Sequence, residues 1–370
     1  MKIALVVPGG VDRSGEYRVV PALLALVERL AARHEVHVFA LRQEAAPGRW
    51  MLLGAHVHNI GGRAGVLCEV RTIGAVVREH RVAPFDVVQA IWSGACGVVA
   101  VTAGRLVGVP SLVHVAGGEL VALRAIRYGG LMNWRGRLRE ALVRRGATVM
   151  TAASAPILAQ LAALGRPARR VPLGVDLRCW PMRAPVRRDP RVPVRVIHVA
   201  SLNEVKDQAT LLRAMALLAA DGVDFHLDIV GEDTLGGRVQ ALARQLQLQS
   251  RMRFHGFLTQ AQLRPLLEAA HVNVIASLHE AGPLVLLEAA VLGVPTVGTA
   301  VGHLAEWSPQ AALAVPVADA AALATALRRL IADEDLRLQL AGEALQRAVA
   351  EDADHTAALF EGLYAASTAR

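Results

Sequence analysis

Short apolar runs alternate with amphipathic segments along this chain, and the series occurs twice. In the first half, runs suited to strands fall at Lys2–Val7, Glu35–Ala40, Asp86–Ile91, Ser111–Val115 and Thr148–Ala152, with helical patterns such as Val20–Ala32 and Arg137–Arg145 between them. In the second half, strands are expected at Val194–Ala200, His226–Val230, Arg253–His255, Val272–Ala276 and Thr296–Gly298. Near-continuous apolar strands need cover on both faces. Helices between successive strands supply it, so each series reads as a parallel sheet of the α/β class. At 370 residues the chain exceeds one ordinary core and suits two such domains. Between the two series, Pro181–Pro193 is rich in proline and arginine and reads as a linker. The expected division is 1–180, a linker at 181–193, and 194–354, followed by a helix at about 355–370.

Several classes are excluded early. Cys68, Cys96 and Cys179 show neither paired nor metal-ligand spacing, which points to a reducing cytoplasm. The chain opens on a buried strand and not on a signal peptide. The longest uncharged stretch, Val87–Gly104, is interrupted by Gln89, Ser93, Gly94, Gly97 and Thr102, and reads as a strand and a buried helix. No Asp-x-Asp run occurs and the histidines are scattered, so no metal and no cofactor is expected. Residues 1–200 carry 28 basic against 12 acidic side chains, whereas the remainder is acidic. A cationic first half suits an anionic partner, such as the inner leaflet of a membrane with the protein peripheral to it, or else is an ordinary solvated face. Nucleic acid is not expected, because aromatics are sparse and no binding module is visible.

The chemistry-bearing residues concentrate in the second half. Glu280 sits in the Gly/Pro-bearing loop His279–Pro283, and Glu288 falls in an apolar stretch that reads as a helix beginning near Pro283. A helix apolar nearly all round is buried, so Glu288 needs polar partners. The free N–H groups at such a helix start form an anion site, and a carboxylate on each side can bond hydroxyls. A ligand with both phosphate and sugar hydroxyls fits; the plainer reading is a loop carboxylate and a helix-surface carboxylate. The chain has 40 basic residues but only two lysines, Lys2 and Lys206. Lys206 follows the first strand of the second half, where a compact ammonium suits a diphosphate.

The stretch 273–306 resembles the donor-site signature of the retaining family-4 glycosyltransferases, with Glu280-Ala281-Gly282-Pro283 standing where the family has Glu-Gly-Phe-Gly. The resemblance implies the GT-B architecture: two Rossmann-like, doubly wound parallel-sheet domains facing a central cleft, with the C-terminal helix packing back on the first. It implies that Glu280 contacts the donor sugar, Glu288 the ribose, and the amides of Leu284 and Val285 the diphosphate. It implies that Lys206 meets phosphate, that Gly231 lets the nucleotide approach the backbone, and that Phe257 lies in the base-contacting loop. The family's Gly-Arg-Leu appears here as Ala200-Ser201-Leu202, so Ser201 stands in place of a phosphate-binding arginine. On the acceptor side, Gly9, Gly10 and Gly15 resemble the family's first glycine-bearing loop. Relatives carry a histidine where this chain has Ala116, before Gly117. His114 lies on the same strand face as that position and reads either as cleft-lining or as a core histidine. Glu119 is the better polar candidate for acceptor contact.

These implications give a retaining transfer from a nucleoside-diphosphate sugar, most often UDP in this family, to a glycan, lipid-linked or small-molecule hydroxyl. The sugar nucleotide is a co-substrate, and the leaving diphosphate draws off the acceptor proton. A non-catalytic nucleotide-sugar-binding protein or a sugar-nucleotide epimerase of the same architecture would share these features. A nicotinamide dehydrogenase would not, since Pro8-Gly9-Gly10-Val11-Asp12 lacks the Gly-x-Gly-x-x-Gly spacing.

Overall fold

The computed structural model describes residues 1–369 and divides into two compact units, Met1–Gly174 with Glu351–Arg370, and Val175–Ala350. Unit 1 holds eight strands: β1 (Lys2–Val7), β2 (Glu35–Ala40), β3 (Gly48–Leu52), β4 (Ala55–Asn59), β5 (Val87–Ile91), β6 (Ser111–Val115), β7 (Val149–Ala152) and β8 (Arg169–Arg170). Their order is β3-β4-β2-β1-β5-β6-β7-β8, parallel throughout except for the β3–β4 hairpin. Unit 2 holds β9 (Val194–Val199), β10 (Phe225–Val230), β11 (Met252–Gly256), β12 (Val272–Ile275), β13 (Thr296–Thr299) and β14 (Leu313–Val315). These run β11-β10-β9-β12-β13-β14, all parallel. Both are doubly wound sheets, and in each the strand order reverses beside the first strand: between β1 and β5, and between β9 and β12. A crevice outside the carboxyl ends of the strands at such a switch point is where open α/β sheets take ligands.

The apolar runs become strands because both faces are covered. Every residue of β1, β5, β6 and β12 is buried. The uncharged stretch from Val87 resolves into β5 and the helix Gly94–Val107, whose inner face is buried. Among the described residues no helix is long and apolar enough to cross a membrane. The sequence reading passed over β3 and β4, whose outward alternation is half polar, and the short β8 and β14.

The proline- and arginine-rich stretch is not a free linker. The division falls earlier, after Gly174, and residues 181–193 are fastened along unit 2. The Arg183 amide donates to the Val291 carbonyl (2.8 Å), the Arg188 amide to Glu334 (2.7 Å), and buried Arg337 donates to the Val186 carbonyl. Prolines hold this segment extended without a sheet partner, and side chains of unit 2 satisfy its backbone instead.

The last helix, Ala353–Thr368, packs in unit 1; Arg370 of the expected 355–370 helix lies outside the described residues. Phe360 and Tyr364 are fully buried, with Tyr364 bonded to Gln89 on β5. The Gly174 amide donates to Thr356 Oγ1 (2.9 Å), and a Cβ on Gly174 would lie 2.2 Å from the Asp352 carbonyl carbon. Thus the segment leaving unit 1 and the segment returning to it lie in direct contact. Truncating a buried aromatic costs about 3–5 kcal/mol. Phe360→Ala should lose that much by urea unfolding of unit 1, and a loss below about 1 kcal/mol would contradict the burial described.

Candidate functional site

The loops that follow β9 and β12 in unit 2 are tied together. After β9 the chain turns through Glu204–Lys206, where the Lys206 amide bonds Asn203 Oδ1 (3.1 Å). Asp207 then takes a left-handed conformation and caps the helix Gln208–Ala220 through the Thr210 amide. After β12, the Leu278 amide donates to the Val205 carbonyl (2.8 Å). Across this junction Lys206 Nζ and Ser277 Oγ both donate to Glu280 Oε1, at 2.5 and 2.6 Å. Lys206 and Glu280, 74 residues apart, form a half-buried ion pair at the strand ends.

Helix Leu284–Val291 starts directly beyond. Pro283 is its extended cap residue and not its first helical residue, and no side chain caps the start. With no acidic residue in the first turn, the Leu284 and Val285 N–H groups are left to carry the positive end of the helix. Gly282 has a steric reason to be glycine: a Cβ would lie 2.7 Å from His303 Nε2. His303 is buried, and its Nδ1 is held by Glu306 (2.7 Å). Gly302, at φ 49°, backs against the Glu280 and Ala281 carbonyls. The Glu280–Pro283 loop is thereby pressed between Lys206 on one side and the helix Gly302–Trp307 on the other.

Glu288 is buried on the same helix, accepts a hydrogen bond from Gln260, and burial pushes its carboxyl up to about 7. The remaining second-half residues fall at neighbouring strand ends. Gly231, at φ 148°, lies so close to the β9 end that a Cβ would meet the Ala200 oxygen at 2.0 Å. Its amide donates to the Gly256 carbonyl (2.8 Å), and the side chain of Phe257, next along, is half exposed. Ser201 is exposed, and its carbonyl accepts from Gln208 (3.1 Å). Gln208 also contacts His198, whose burial lowers it to about 4 and keeps it neutral. Sequence reading missed Ser277, Asn203, Gln208 and Gln260; the signal for Gln208 was a polar residue at the start of an otherwise apolar helix.

In unit 1 the acceptor-side candidates sort differently. Gly9, Gly10 and Gly15 do lie in the loop after β1. Gly10, at φ 82°, packs on Val20, and the loop is closed by Asp12, which bonds Ser14, Gln43 and Arg18. Glu119 Oε2 takes the Gly117 amide (2.7 Å) and Oε1 the Ser93 amide (3.0 Å), so this carboxylate joins the loops after β5 and β6. Glu140, pushed up to about 7 by burial and by Glu119 nearby, takes Ser93 Oγ and the Gly94 amide beside it. His114 is a core residue and does not line a cleft. It is fully buried, bonded to Thr151 Oγ1 (2.9 Å) and edge-on to Phe360, and burial lowers it to about 3. The C-terminal helix covers the strand face that the sequence left open.

A doubly wound unit whose switch-point loops assemble a lysine, a glutamate and an uncapped helix start is suited to a phosphorylated, hydroxyl-bearing ligand. Residues 187–347 match the family model of the glycosyl transferases group 1, and residues 19–174 match that of the glycosyl transferase 4-like domain. The chain belongs to the GT4-like glycosyltransferases and has the GT-B fold. It is 27% identical over 320 residues to EpsF of Bacillus subtilis, a protein named as a glycosyltransferase, covering 80% of this chain and 78% of that one. It is 31% identical to the glycogen synthase of Mycobacterium tuberculosis over 47% of this chain and 42% of that protein. Among solved structures, a sucrose-phosphate synthase of Thermosynechococcus elongatus superposes with a TM-score of 0.83 at 21% identity, covering 99% of this chain and all of that one. Anabaena HepE, solved with UDP and glucose, gives 0.75 at 18% with the same coverage.

The raised Glu288 carboxyl fixes a pH dependence. Between about 4.5 and about 7 the native chain keeps a proton there that the unfolded chain has released, so stability falls as pH rises across that window. Glu140 acts in the same direction. The Glu288 share, on the order of 3 kcal/mol, should vanish from the pH profile in Glu288→Gln. Identical profiles for the two proteins in chemical unfolding would refute the assignment.

Proposed function

We propose that this chain is a retaining glycosyltransferase that moves a sugar from a nucleoside-diphosphate donor, UDP by preference, to an acceptor hydroxyl bound by unit 1. The observation that carries the reading is the junction in unit 2 of Lys206, Glu280 and the uncapped start of helix Leu284–Val291. The UDP and glucose bound by Anabaena HepE support the donor class, although that likeness is one of fold. The names of the colanic acid and amylovoran biosynthesis glycosyltransferases among the relatives support a role in building a polysaccharide.

In this mechanism the diphosphate seats on the Leu284 and Val285 amides and draws Lys206 away from Glu280. The glutamate, released from the ammonium but still held by Ser277, then accepts hydrogen bonds from sugar hydroxyls. Glu288 receives the ribose hydroxyls. As the glycosidic bond breaks, negative charge grows on the diphosphate, where Lys206 and the helix start already point their donors. The departing phosphate oxygen takes the acceptor's proton on the face it leaves, so the configuration is retained and no side-chain nucleophile is needed. With Ser201 in the arginine's place, Lys206 is the lysine on which this charge falls.

A thermal-shift screen should show stabilisation by UDP-sugars of about 2.7 kcal/mol at a hundredfold excess over Kd, and none by NAD. Lys206→Ala should lower kcat by about 10²–10³-fold with the fold intact, and turnover should continue in EDTA. Donor binding without transfer or hydrolysis under any acceptor would leave a binding protein instead.

The membrane expectation gains support from helix Trp134–Gly146. Its outer face presents Trp134, Leu138 and Leu142 at four-residue spacing, flanked by exposed Arg135, Arg137 and Arg145, while Glu140 and Val143 face inward. We read this stripe as resting on an anionic leaflet, near a lipid-linked acceptor. Co-sedimentation with anionic vesicles, lost in Leu138→Glu/Leu142→Glu and absent with neutral vesicles, is the expected result. Equal sedimentation with both vesicle types would overturn it.

A further inference from the structure

The histidines that look scattered in the sequence are gathered by the register of unit 1. In the parallel β2–β4 pair, His37 lies opposite His56 and Phe39 opposite His58, so all four rings share one face of the sheet. Residues i and i+2 of a strand point the same way, and a parallel neighbour doubles the set. His37 Nδ1 stands 3.0 Å from His58 Nε2, and Glu79, from the helix Val66–Val82, brings Oε1 to 3.8 Å from the same His37 nitrogen. One ligand atom from each of these three residues falls within 4.8 Å of the others. Two nitrogens on one tetrahedral zinc ion, at bonds of about 2.0–2.1 Å, sit about 3.3 Å apart, close to the separation observed.

The second ring nitrogen of His37 settles the orientation. Nε2 contacts Glu35 Oε1 at 2.9 Å, so the imidazole proton belongs there and the Nδ1 lone pair faces His58 and Glu79. A carboxylate behind a ligating histidine is the arrangement that fixes tautomer and ring plane in metal sites. A cavity of about 440 Å³, bounded by these residues with Arg49, Trp50 and exposed His56, reaches the site and leaves room for water on the ion. Lys2 Nζ lies 3.3 Å from Glu35 and 3.9 Å from Glu79. Two carboxylates thus face one ammonium, and a cation at the histidines uses the charge of Glu79 while Lys2 keeps Glu35.

We propose that His37, His58 and Glu79 bind one divalent transition-metal ion of the zinc type, with Glu35 as the residue that orients His37. Imidazole and carboxylate together select such ions over magnesium or calcium. The site stands at the amino ends of β1 and β2, whereas the acceptor-side loops of the same unit lie at the carboxyl ends, and nothing in it depends on the donor reading.

The test is titration of tag-free, EDTA-stripped full-length protein with Zn²⁺ by calorimetry, with Co²⁺ absorption as an optical copy. One equivalent should bind. Binding should be lost in His58→Gln and in Glu79→Gln, and weakened about 10–100-fold in Glu35→Gln, while UDP-sugar stabilisation stays unchanged in all three. If the variants misfold, X-ray absorption of the zinc-loaded wild type decides: two imidazoles plus oxygen ligands are expected. No stoichiometric binding, binding of equal strength in folded variants, or a zinc shell without two imidazoles would overturn the proposal.

Discussion

The burial of helix Leu284–Val291 is the constraint on which the donor-side geometry rests. Of its eight residues, Val285–Val291 are all buried, so the helix can sit in only one place, wedged beside β12 and β13. Its position fixes where its free amides emerge, and it drags Glu288 into a dry environment. An apolar helix of this kind gains about 1.5–3 kcal/mol for each large side chain it removes from water. That gain covers the cost of a poorly hydrated carboxyl and of an uncapped start, two features that a merely structural helix would avoid.

Around that helix, close backbone packing does the positioning. Gly282 against His303, Gly302 against the Glu280 and Ala281 carbonyls, and Gly231 against Ala200 each bring chains nearer than a Cβ permits. These contacts hold the strand-end loops on a rigid frame, which is what a site that works by orientation and preset dipoles requires. The Lys206–Glu280 pair completes the frame from the other side. Because both partners sit in strand-end loops locked by backbone bonds, the pair holds an ammonium and a carboxylate in fixed positions at the strand ends.

Unit 1 shows the same logic with the opposite sign of polarity. Its switch-point loops are held by carboxylates: Glu119 and Glu140 take the amides and hydroxyl of the Ser93–Gly94 turn. Burial pushes both carboxyls upward. Exposed arginines also stand along the outer face of helix Trp134–Gly146.

Periodicity made the α/β class and most strands legible, because a strand buried on both faces must be apolar throughout and a parallel neighbour must be reached through a helix. The two glutamates, the helix start and the rare Lys206 were legible for a related reason: each breaks a local compositional rule. What the sequence alone could not decide were contacts between residues far apart in the chain. His114 looked able to reach a cleft until the helix Ala353–Thr368 covered it. The Pro/Arg-rich stretch looked free until Arg337 and Glu334 took up its backbone. The histidines of β2 and β4 looked unrelated until sheet register set them on one face. Local pattern reports what a residue must hide from water; only the folded chain determines what hides it.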